Sequence, residues 1–145
     1  MGLLTAELVQ LGALAKDKEE AIRQAGELLV RASYVEPDYV AGMLAREQTM
    51  STYLGGGVAI PHGTFDDLSR VHRTGVSVLQ VPAGVEWEPG EVAYLVIGIA
   101  ACGDEHVDLL SRLAQVVEDE ALTRELVAAK DPAVIVECLN RLPAA

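Results

Sequence analysis

The stretch that most restricts how this chain can fold is the apolar run AYLVIGIAAC, from Ala93 to Cys102. It is about half the length that a membrane-spanning helix needs. Turn-forming residues bound it, with Pro89 and Gly90 before it and Gly103 after it. A short apolar run of this kind is typical of a strand that is covered on both faces. We therefore predict a buried strand from Val92 to Ala100, with other layers of structure on both sides of it.

The segments around this strand predict the rest of the fold. A second strand, GVSVLQV, is predicted from Gly75 to Val81, and hydrophobic residues recur at helical spacing before and after the two strands. The order of helices, strands and helices predicts an α/β domain with the sheet between the helices. The helices are expected after an Asp17 and Glu20 capping box, from Pro37 to about Glu47, after a cap at Asp104, from about Glu120 to Lys130, and from Pro132 to Leu142.

Composition and charge narrow the class of protein. With 145 residues, of which 50% are hydrophobic, one compact domain over residues 1–145 is expected. The net charge of −11 argues against nucleic acid and anionic lipid as partners, because both favour clusters of Lys and Arg. No signal peptide and no membrane-spanning segment are predicted. Cys102 and Cys138 follow no C-x-x-C spacing, which favours a reduced, cytoplasmic setting over a disulfide framework.

His62 is the histidine whose position is most informative. It follows the apolar residues Val58 to Ile60 and lies between Pro61 and Gly63, with Thr64 next. Proline fixes the backbone before the ring and glycine frees it afterwards, so the imidazole is expected at the edge of a sheet, facing solvent or a cleft. From these residues alone, a histidine that merely fills a turn is an equal alternative. His72, in a polar stretch, is expected to be a solvated loop residue.

Metal binding and hydrolysis are weaker interpretations of the histidines. Cys102 and His106 are four residues apart, but Gly103 lies at an apparent junction between strand and helix, and no third or fourth ligand stands at a recognisable spacing. A serine nucleophile is not indicated, because the sequence contains no G-x-S-x-G motif.

Transfer of a phosphoryl group fits more of the sequence. It needs an unprotonated ring nitrogen, a cation for the phosphoryl oxygens and further hydrogen-bond donors. Arg46, in the last turn of the second predicted helix, can supply the cation. His106 falls in the first turn of a predicted helix, where backbone N–H groups and the helix dipole favour an anion. Spacing alone does not bring these residues to His62, and His106 by itself is more often a surface residue.

The segment MLAREQTMSTYLGGGVAIPHGT, from Met43 to Thr64, resembles the active-site signature of the enzyme IIA domains of the phosphoenolpyruvate-dependent sugar phosphotransferase system, in the mannitol/fructose class. The resemblance extends over nearly the whole chain. It is similar to the mannitol branch in particular at Thr64, in the turn from Pro82 to Val85, and at the pair Glu105 and His106.

This resemblance implies a mixed β-sheet flanked by helices on both faces and a phosphocarrier role in the cytoplasm. It implies that His62 is phosphorylated through Nε2, that His106 is the second active-site histidine, and that Arg46 is the active-site arginine, with Gly63 and Thr64 supporting them. The implied donor is the phosphohistidine of the carrier protein HPr, and the implied acceptor is a cysteine of the enzyme IIB domain of a IIBC or IICB permease. No metal and no organic cofactor are implied.

One alternative stays open within this resemblance. Enzyme IIA domains of the nitrogen-regulatory kind have the same histidine motif and act as interaction proteins that phosphorylation switches. The stretches after Thr64 favour transport of mannitol or a related sugar or polyol over regulation. Since no IIB or IIC segment accompanies the sequence, a free-standing enzyme IIA is expected.

Overall fold

The computed structural model describes residues 4–142, apart from the side chain of Phe65. Within this range the helices and strands are β1 (Val9–Gln10), α1 (Lys18–Arg31), α2 (Tyr39–Thr49), β2 (Tyr53–Gly55), β3 (Val58–Ala59), β4 (Gly75–Glu88), β5 (Glu91–Ala100), α3 (Glu105–Glu118), α4 (Glu120–Ala128) and α5 (Pro132–Asn140), with 3₁₀ turns at Ala6–Leu8 and Phe65–Arg70. The longer elements follow the predicted order of helices, strands and helices, whereas the short strands β1 and β2 were not predicted.

The strands of this range form one mixed sheet in the order β1-β4-β5-β3-β2. β4 and β5 are antiparallel and form its centre, whereas β1 and β3 run parallel to their inner neighbours. The last six residues of β5, from Leu95 to Ala100, are all buried, as predicted for a strand covered on both faces. The prediction of a mixed α/β sheet is confirmed.

Two polar side chains on β4 show that both faces of the sheet are covered by helices. Ser77 Oγ donates to the carbonyl of Ala25 on α1 at 2.8 Å. Gln80 Nε2 donates to the carbonyl of Leu126 on α4 at 3.0 Å. Residues three apart on a strand point to opposite faces, so α1 and α4 lie on opposite sides. Both polar groups are buried and satisfied by helix carbonyls, as buried polar groups must be.

The predicted helices are present, with three corrections at their ends. α2 begins at Tyr39 rather than at Pro37, because the N–H groups of Tyr39 and Val40 first close a turn onto the carbonyls of Glu36 and Pro37. Asp104 precedes α3, but its backbone (φ −98°, ψ 11°) is not extended as in a capping residue, and its side chain makes no capping bond. α4 and α5 end at Ala128 and Asn140, two residues before the predicted ends.

The start of α1 is only partly the predicted capping box. Asp17 accepts a hydrogen bond from the backbone N–H of Glu20, as expected. The carboxylate of Glu20, however, accepts from the backbone of Lys16 rather than from that of Asp17. The helix is therefore capped by Asp17, and Glu20 fixes the residue before the cap.

The second predicted strand is twice as long as expected, since β4 continues from Val81 to Glu88. Pro82 and Gly84 follow the predicted strand and are residues that usually end one, but they lie where the register between β4 and β5 shifts, between Gln80 and Val85. A bulge accommodates a proline and a glycine with positive φ inside a strand pair. The extension brings Trp87 to the side of the sheet near α2. None of the helices within residues 4–142 is long and apolar enough to cross a membrane.

Candidate active site

His62 lies next to the centre of the sheet, just beyond the end of β3. It pairs with Ile99 of β5 in an isolated parallel bridge, and the Ile99 N–H donates to the carbonyl of Pro61 at 2.9 Å. Only 8% of His62 is exposed. The ring therefore sits in a cleft, which is one of the two predicted surroundings. It lies beside the central strand β5, however, and not at the edge of the sheet as expected, because the residues after β3 continue to pair with β5.

The hydrogen bond of the His62 ring fixes which nitrogen is free. Nδ1 lies 2.8 Å from the carbonyl oxygen of Ile60, two residues earlier. A carbonyl oxygen can only accept, so in the neutral ring Nδ1 bears the proton and donates it. Nε2 is left with an unshared electron pair. Nε2 is thus the ring nitrogen that is able to act as a nucleophile.

The cleft around His62 has a volume of about 770 Å³ and brings together the side chains that the sequence singled out. The rings of His62 and His106 meet edge to face, with their centroids 4.8 Å apart. Arg46 lines the same cleft from the last turn of α2. The residues that line the cleft are Tyr39, Arg46, Thr49, His62, Gly63, Thr64, Leu68, Ala101, Gly103, Asp104, His106 and Val107.

Arg46 is oriented by the end of its own helix. Its Nη1 donates to the carbonyl oxygen of Met50 at 2.8 Å. This bond uses one of the five guanidinium donors, and the planar group keeps others for an anion. Arg46 thus brings a cation into the same cleft as His62, as phosphoryl chemistry would require.

The electrostatics of the cleft keep both of its imidazoles neutral. Burial is the largest effect and lowers the pKa of His62, whereas the hydrogen bond to the Ile60 carbonyl opposes it; His106 and Arg46 lower the pKa further, and the Glu47 carboxylate raises it least. Burial and Arg46 also lower the pKa of His106. A neutral ring is the form that can attack phosphorus.

The amino-terminal end of α3 forms another wall of the cleft, through Gly103, Asp104, His106 and Val107. His106 is the second residue of this helix, as predicted. The side chain of Asp104 makes no capping hydrogen bond, so it does not occupy the first-turn N–H groups, although Asp104 itself lines the cleft. This wall favours an anion.

Gly63 is required for a reason that differs from the predicted one. Its φ is not positive, so it does not serve to turn the chain. A Cβ atom at this position would lie 2.6 Å from the ring of Tyr39. The Tyr39 hydroxyl accepts from the Gly63 N–H at 2.9 Å and donates to the carbonyl of Ile99 at 2.7 Å. Tyr39, which the sequence did not single out, ties the segment after His62 to β5.

The hydroxyl of Thr64, which is one of the residues that line the cleft, is bonded to a carboxylate. Its Oγ1 and its backbone N–H both donate to Oδ2 of Asp67, at 2.8 and 2.7 Å. The other oxygen of Asp67 accepts from Arg70. The same carboxylate lies so close to α2 that a Cβ on Gly42 would be 2.0 Å from it. Thr64 therefore supports the site by holding the turn after His62 against α2.

Cys102 and His106, the pair considered as metal ligands, do not belong to a larger set of ligands. Within residues 4–142, no group of three or more His, Cys, Asp or Glu side chains is arranged to hold a metal ion. His72, the remaining histidine, is exposed and pairs with Glu36 on the surface, as predicted for a loop residue.

Comparison with known proteins places the chain in a family. Residues 2–142 match the family model described as phosphoenolpyruvate-dependent sugar phosphotransferase system, EIIA 2. The chain is 39% identical to the mannitol-specific phosphotransferase enzyme IIA component of Bacillus subtilis, over 98% of this chain and 99% of that protein. It is 50% identical to a multiphosphoryl transfer protein of Xanthomonas campestris, over 94% of this chain, but spans only 16% of that protein's length.

Solved structures show the same fold. The complex of enzyme IIA and phosphorylated enzyme IIB for mannitol from Escherichia coli contains a chain with a TM-score of 0.88 and 44% identity, covering 94% of this chain and 96% of that one. The nitrogen regulatory protein IIA from Neisseria meningitidis is more distant, with a TM-score of 0.82 and 25% identity over 94% of this chain and 96% of that one. The chain thus belongs to the EIIA 2 family of the phosphoenolpyruvate-dependent sugar phosphotransferase system.

Proposed function

We propose that this enzyme IIA accepts a phosphoryl group on Nε2 of His62 from phosphorylated HPr and passes it to a cysteine of its enzyme IIB partner during uptake of mannitol or a related sugar or polyol. The observation that supports the proposal most is the bond from Nδ1 to the Ile60 carbonyl, which leaves Nε2 as the nucleophile of the cleft. We assign Arg46 and His106 to stabilising the phosphoryl group during its transfer.

In the first step the electron pair of Nε2 forms a bond to phosphorus while the nitrogen–phosphorus bond of the donor breaks. The leaving electron pair stays on the donor's ring nitrogen. The proton on Nδ1 of His62 remains there, held by the Ile60 carbonyl, so no base is needed to activate the ring. Arg46 and the amino-terminal end of α3 offset the charge that spreads over the phosphoryl oxygens.

In the second step the thiolate of enzyme IIB attacks the same phosphorus atom. The bond from Nε2 to phosphorus breaks and its electron pair returns to His62. Because Arg46 and the amino-terminal end of α3 both lie at this cleft, the same cleft serves both partners in turn. The proposal treats residues 1–145 as one enzyme IIA domain that works in the cytoplasm without a metal or organic cofactor.

The regulatory alternative has less support. Identity to the mannitol enzyme IIA of Escherichia coli is 44%, against 25% to the nitrogen regulatory protein. The stretches after Thr64 that resemble the mannitol branch agree with this difference. Enzyme IIB of the mannitol system is therefore the acceptor to test first.

The experiment reconstitutes the transfer from phosphoenolpyruvate through enzyme I and HPr. One acid-labile phosphate per chain is expected, and His62→Ala should remove it entirely. His72→Ala is the matched control, since it removes an exposed histidine outside the cleft, and it should be labelled like the wild type. Labelling that persists in His62→Ala would overturn the proposal.

A further inference from the structure

A buried polar cluster lies behind the cleft, on the opposite side of α2. We call it the Glu47 cluster, and it consists of Lys18, Glu47, Thr52, Trp87 and Glu88. Glu47 is only 5% exposed, although it is charged. Neither the sequence nor the proposed transfer gives it a role. A buried carboxylate is costly unless several donors satisfy it, so its presence needs an explanation.

Donors surround the Glu47 carboxylate. The Thr52 hydroxyl donates to Oε1 at 2.5 Å, and the Thr52 N–H lies 3.2 Å from both oxygens. The indole Nε1 of Trp87 donates to Oε2 at 3.1 Å, and Nζ of Lys18 lies 3.4 Å from the same oxygen. Lys18 is held in turn by Glu88 at 3.0 Å. The carboxylate thus fixes Thr52 by both its backbone and its side chain.

Thr52 connects this cluster to the reacting histidine through two further hydrogen bonds. The carbonyl of Thr52 accepts from the backbone N–H of Ile60 at 3.0 Å. The carbonyl of the same Ile60 accepts from Nδ1 of His62 at 2.8 Å. A continuous path therefore runs from the carboxylate through Thr52 and Ile60 to the ring nitrogen that does not react.

We propose that Glu47 is a positioning residue, which fixes the Ile60 peptide through Thr52 so that His62 keeps its proton on Nδ1 and presents Nε2 to the cleft. Glu47 does not touch the reacting atoms. The inference rests on the proposed function only in taking Nε2 as the nucleophile, and it names what keeps that nitrogen free.

The charge of Glu47 matters as well as its shape. All the groups around it are donors, and a carboxylate can accept from all of them at once. An amide of the same size has one accepting oxygen and would turn its NH₂ group towards a donor. Glu47→Gln should therefore release Thr52 from one of its bonds without leaving a cavity. Charged hydrogen bonds of this kind are the stronger ones.

The first readout is the tautomer of His62 in the unphosphorylated protein, from the ¹⁵N shifts of the ring. The wild type should show Nδ1 protonated and Nε2 bare. In Glu47→Gln the minor tautomer should increase about five- to tenfold, the change that corresponds to loss of one hydrogen bond. A ratio equal to that of the wild type in folded Glu47→Gln would overturn the positioning role.

The second readout is the rate of phosphoryl transfer from HPr, which should fall about tenfold in Glu47→Gln, as is common when a residue that orients a functional histidine is changed. Binding of HPr, measured by the concentration for half-maximal rate, should stay as in the wild type. Loss of binding with an unchanged maximal rate would contradict the inference. The tautomer of His62 is measured in the unphosphorylated protein. The first readout therefore tests the positioning role of Glu47 even if the proposed phosphoryl transfer fails.

Two further variants separate positioning from loss of stability. Ile135→Val removes one buried methyl group from α5, which packs on β1 at the far edge of the sheet. It should lower stability slightly and leave the tautomer unchanged, and a tautomer shift here would overturn the inference. If Glu47→Gln does not fold, the tautomer is measured in Thr52→Val instead. This variant removes the hydroxyl donor of Thr52 and keeps the Glu47 carboxylate. An unchanged tautomer in Thr52→Val would then reject the role.

Discussion

Arg46 and Glu47 are neighbours in the sequence, yet they lie on different sides of α2 and meet opposite environments. Arg46 is partly exposed and donates one hydrogen bond, to the Met50 carbonyl. Glu47 is buried and accepts from Thr52, Trp87 and Lys18. One step along a helix turns the side chain by about 100°, which is enough to separate the cleft from the Glu47 cluster.

This contrast separates two requirements of the proposed phosphocarrier. The group that meets the phosphoryl oxygens has to be accessible to two successive partners, so it can have few fixed contacts. The group that orients the nucleophile has to be rigid, so it is buried and saturated with donors. We therefore expect substitutions at Arg46 to affect the reaction and substitutions at Glu47 to affect stability as well.

The largest effect is expected for Glu47→Ala. Removing the carboxylate leaves the buried donors of Thr52 and Trp87 without an acceptor and opens a cavity, so the free energy of unfolding should fall by about 3–5 kcal/mol. Urea denaturation measures it. Glu88→Ala is the control, because Glu88 pairs with the same Lys18 but its side chain is 40% exposed, and its loss should cost about 0.5 kcal/mol. Equal losses in the two variants would contradict the contrast.

Arg46→Ala should do the reverse. Loss of one cation that stabilises the transferred group should slow transfer from HPr about 100-fold, while the free energy of unfolding changes by less than about 1 kcal/mol. Rapid-quench measurement of phosphate transfer and a urea titration test the two statements. Arg23→Ala, an equal change of charge on the exposed face of α1, should transfer at the rate of the wild type. If Arg46→Ala transfers normally, its assigned role is wrong.

His106→Ala should slow the transfer by about tenfold, which corresponds to loss of one hydrogen bond to a charged group. The effect is smaller than for Arg46 because His106 is neutral in the resting cleft. The same transfer assay measures it, with His72→Ala as the matched control outside the cleft. If His106→Ala transfers phosphate at the rate of the control, His106 has no role in the transfer.

The smallest effect concerns pH. Burial lowers the pKa values of both His62 and His106 in the folded chain, so the unfolded chain binds protons more readily. The contribution to stability is complete above the unfolded value of about 6.5 and is lost as pH falls through the lowered folded pKa values. Urea titrations across this range should show the loss, and it should shrink when both residues are replaced by Gln. An undiminished loss in that double variant would refute the assignment.

Some features of the fold and of the cleft can be predicted from local sequence patterns, and others cannot. The buried β5, the Asp17 cap and the position of Arg46 in the last turn of α2 follow from local patterns, and the structure confirms them. The extension of β4 past Pro82 does not follow, because proline and glycine usually end a strand and only the pairing with β5 reveals a bulge.

The residues that hold His62 were missed for a similar reason. Tyr39 and Asp67 act through contacts between segments that are distant in sequence, namely with Gly63, Ile99 and Gly42, and no local pattern encodes those contacts. Glu47 did leave a signal. Tyr39, Met43 and Glu47 are spaced by four residues and form the buried stripe of α2, so the charge at its third position is out of place in an apolar stripe. A charge at such a position is a reason to look for buried donors.

The extension of β4 also has a spectroscopic consequence. Trp87 is the single tryptophan of the chain, and its indole N–H donates to the carboxylate of Glu47. When the protein is excited at a wavelength that its four tyrosines do not absorb, the emission therefore comes from one position, directly beside the carboxylate that accepts from Thr52. Fluorescence reads out the state of this buried hydrogen bond, so a stopped-flow instrument with plain protein is sufficient to follow when the Glu47 cluster forms during refolding.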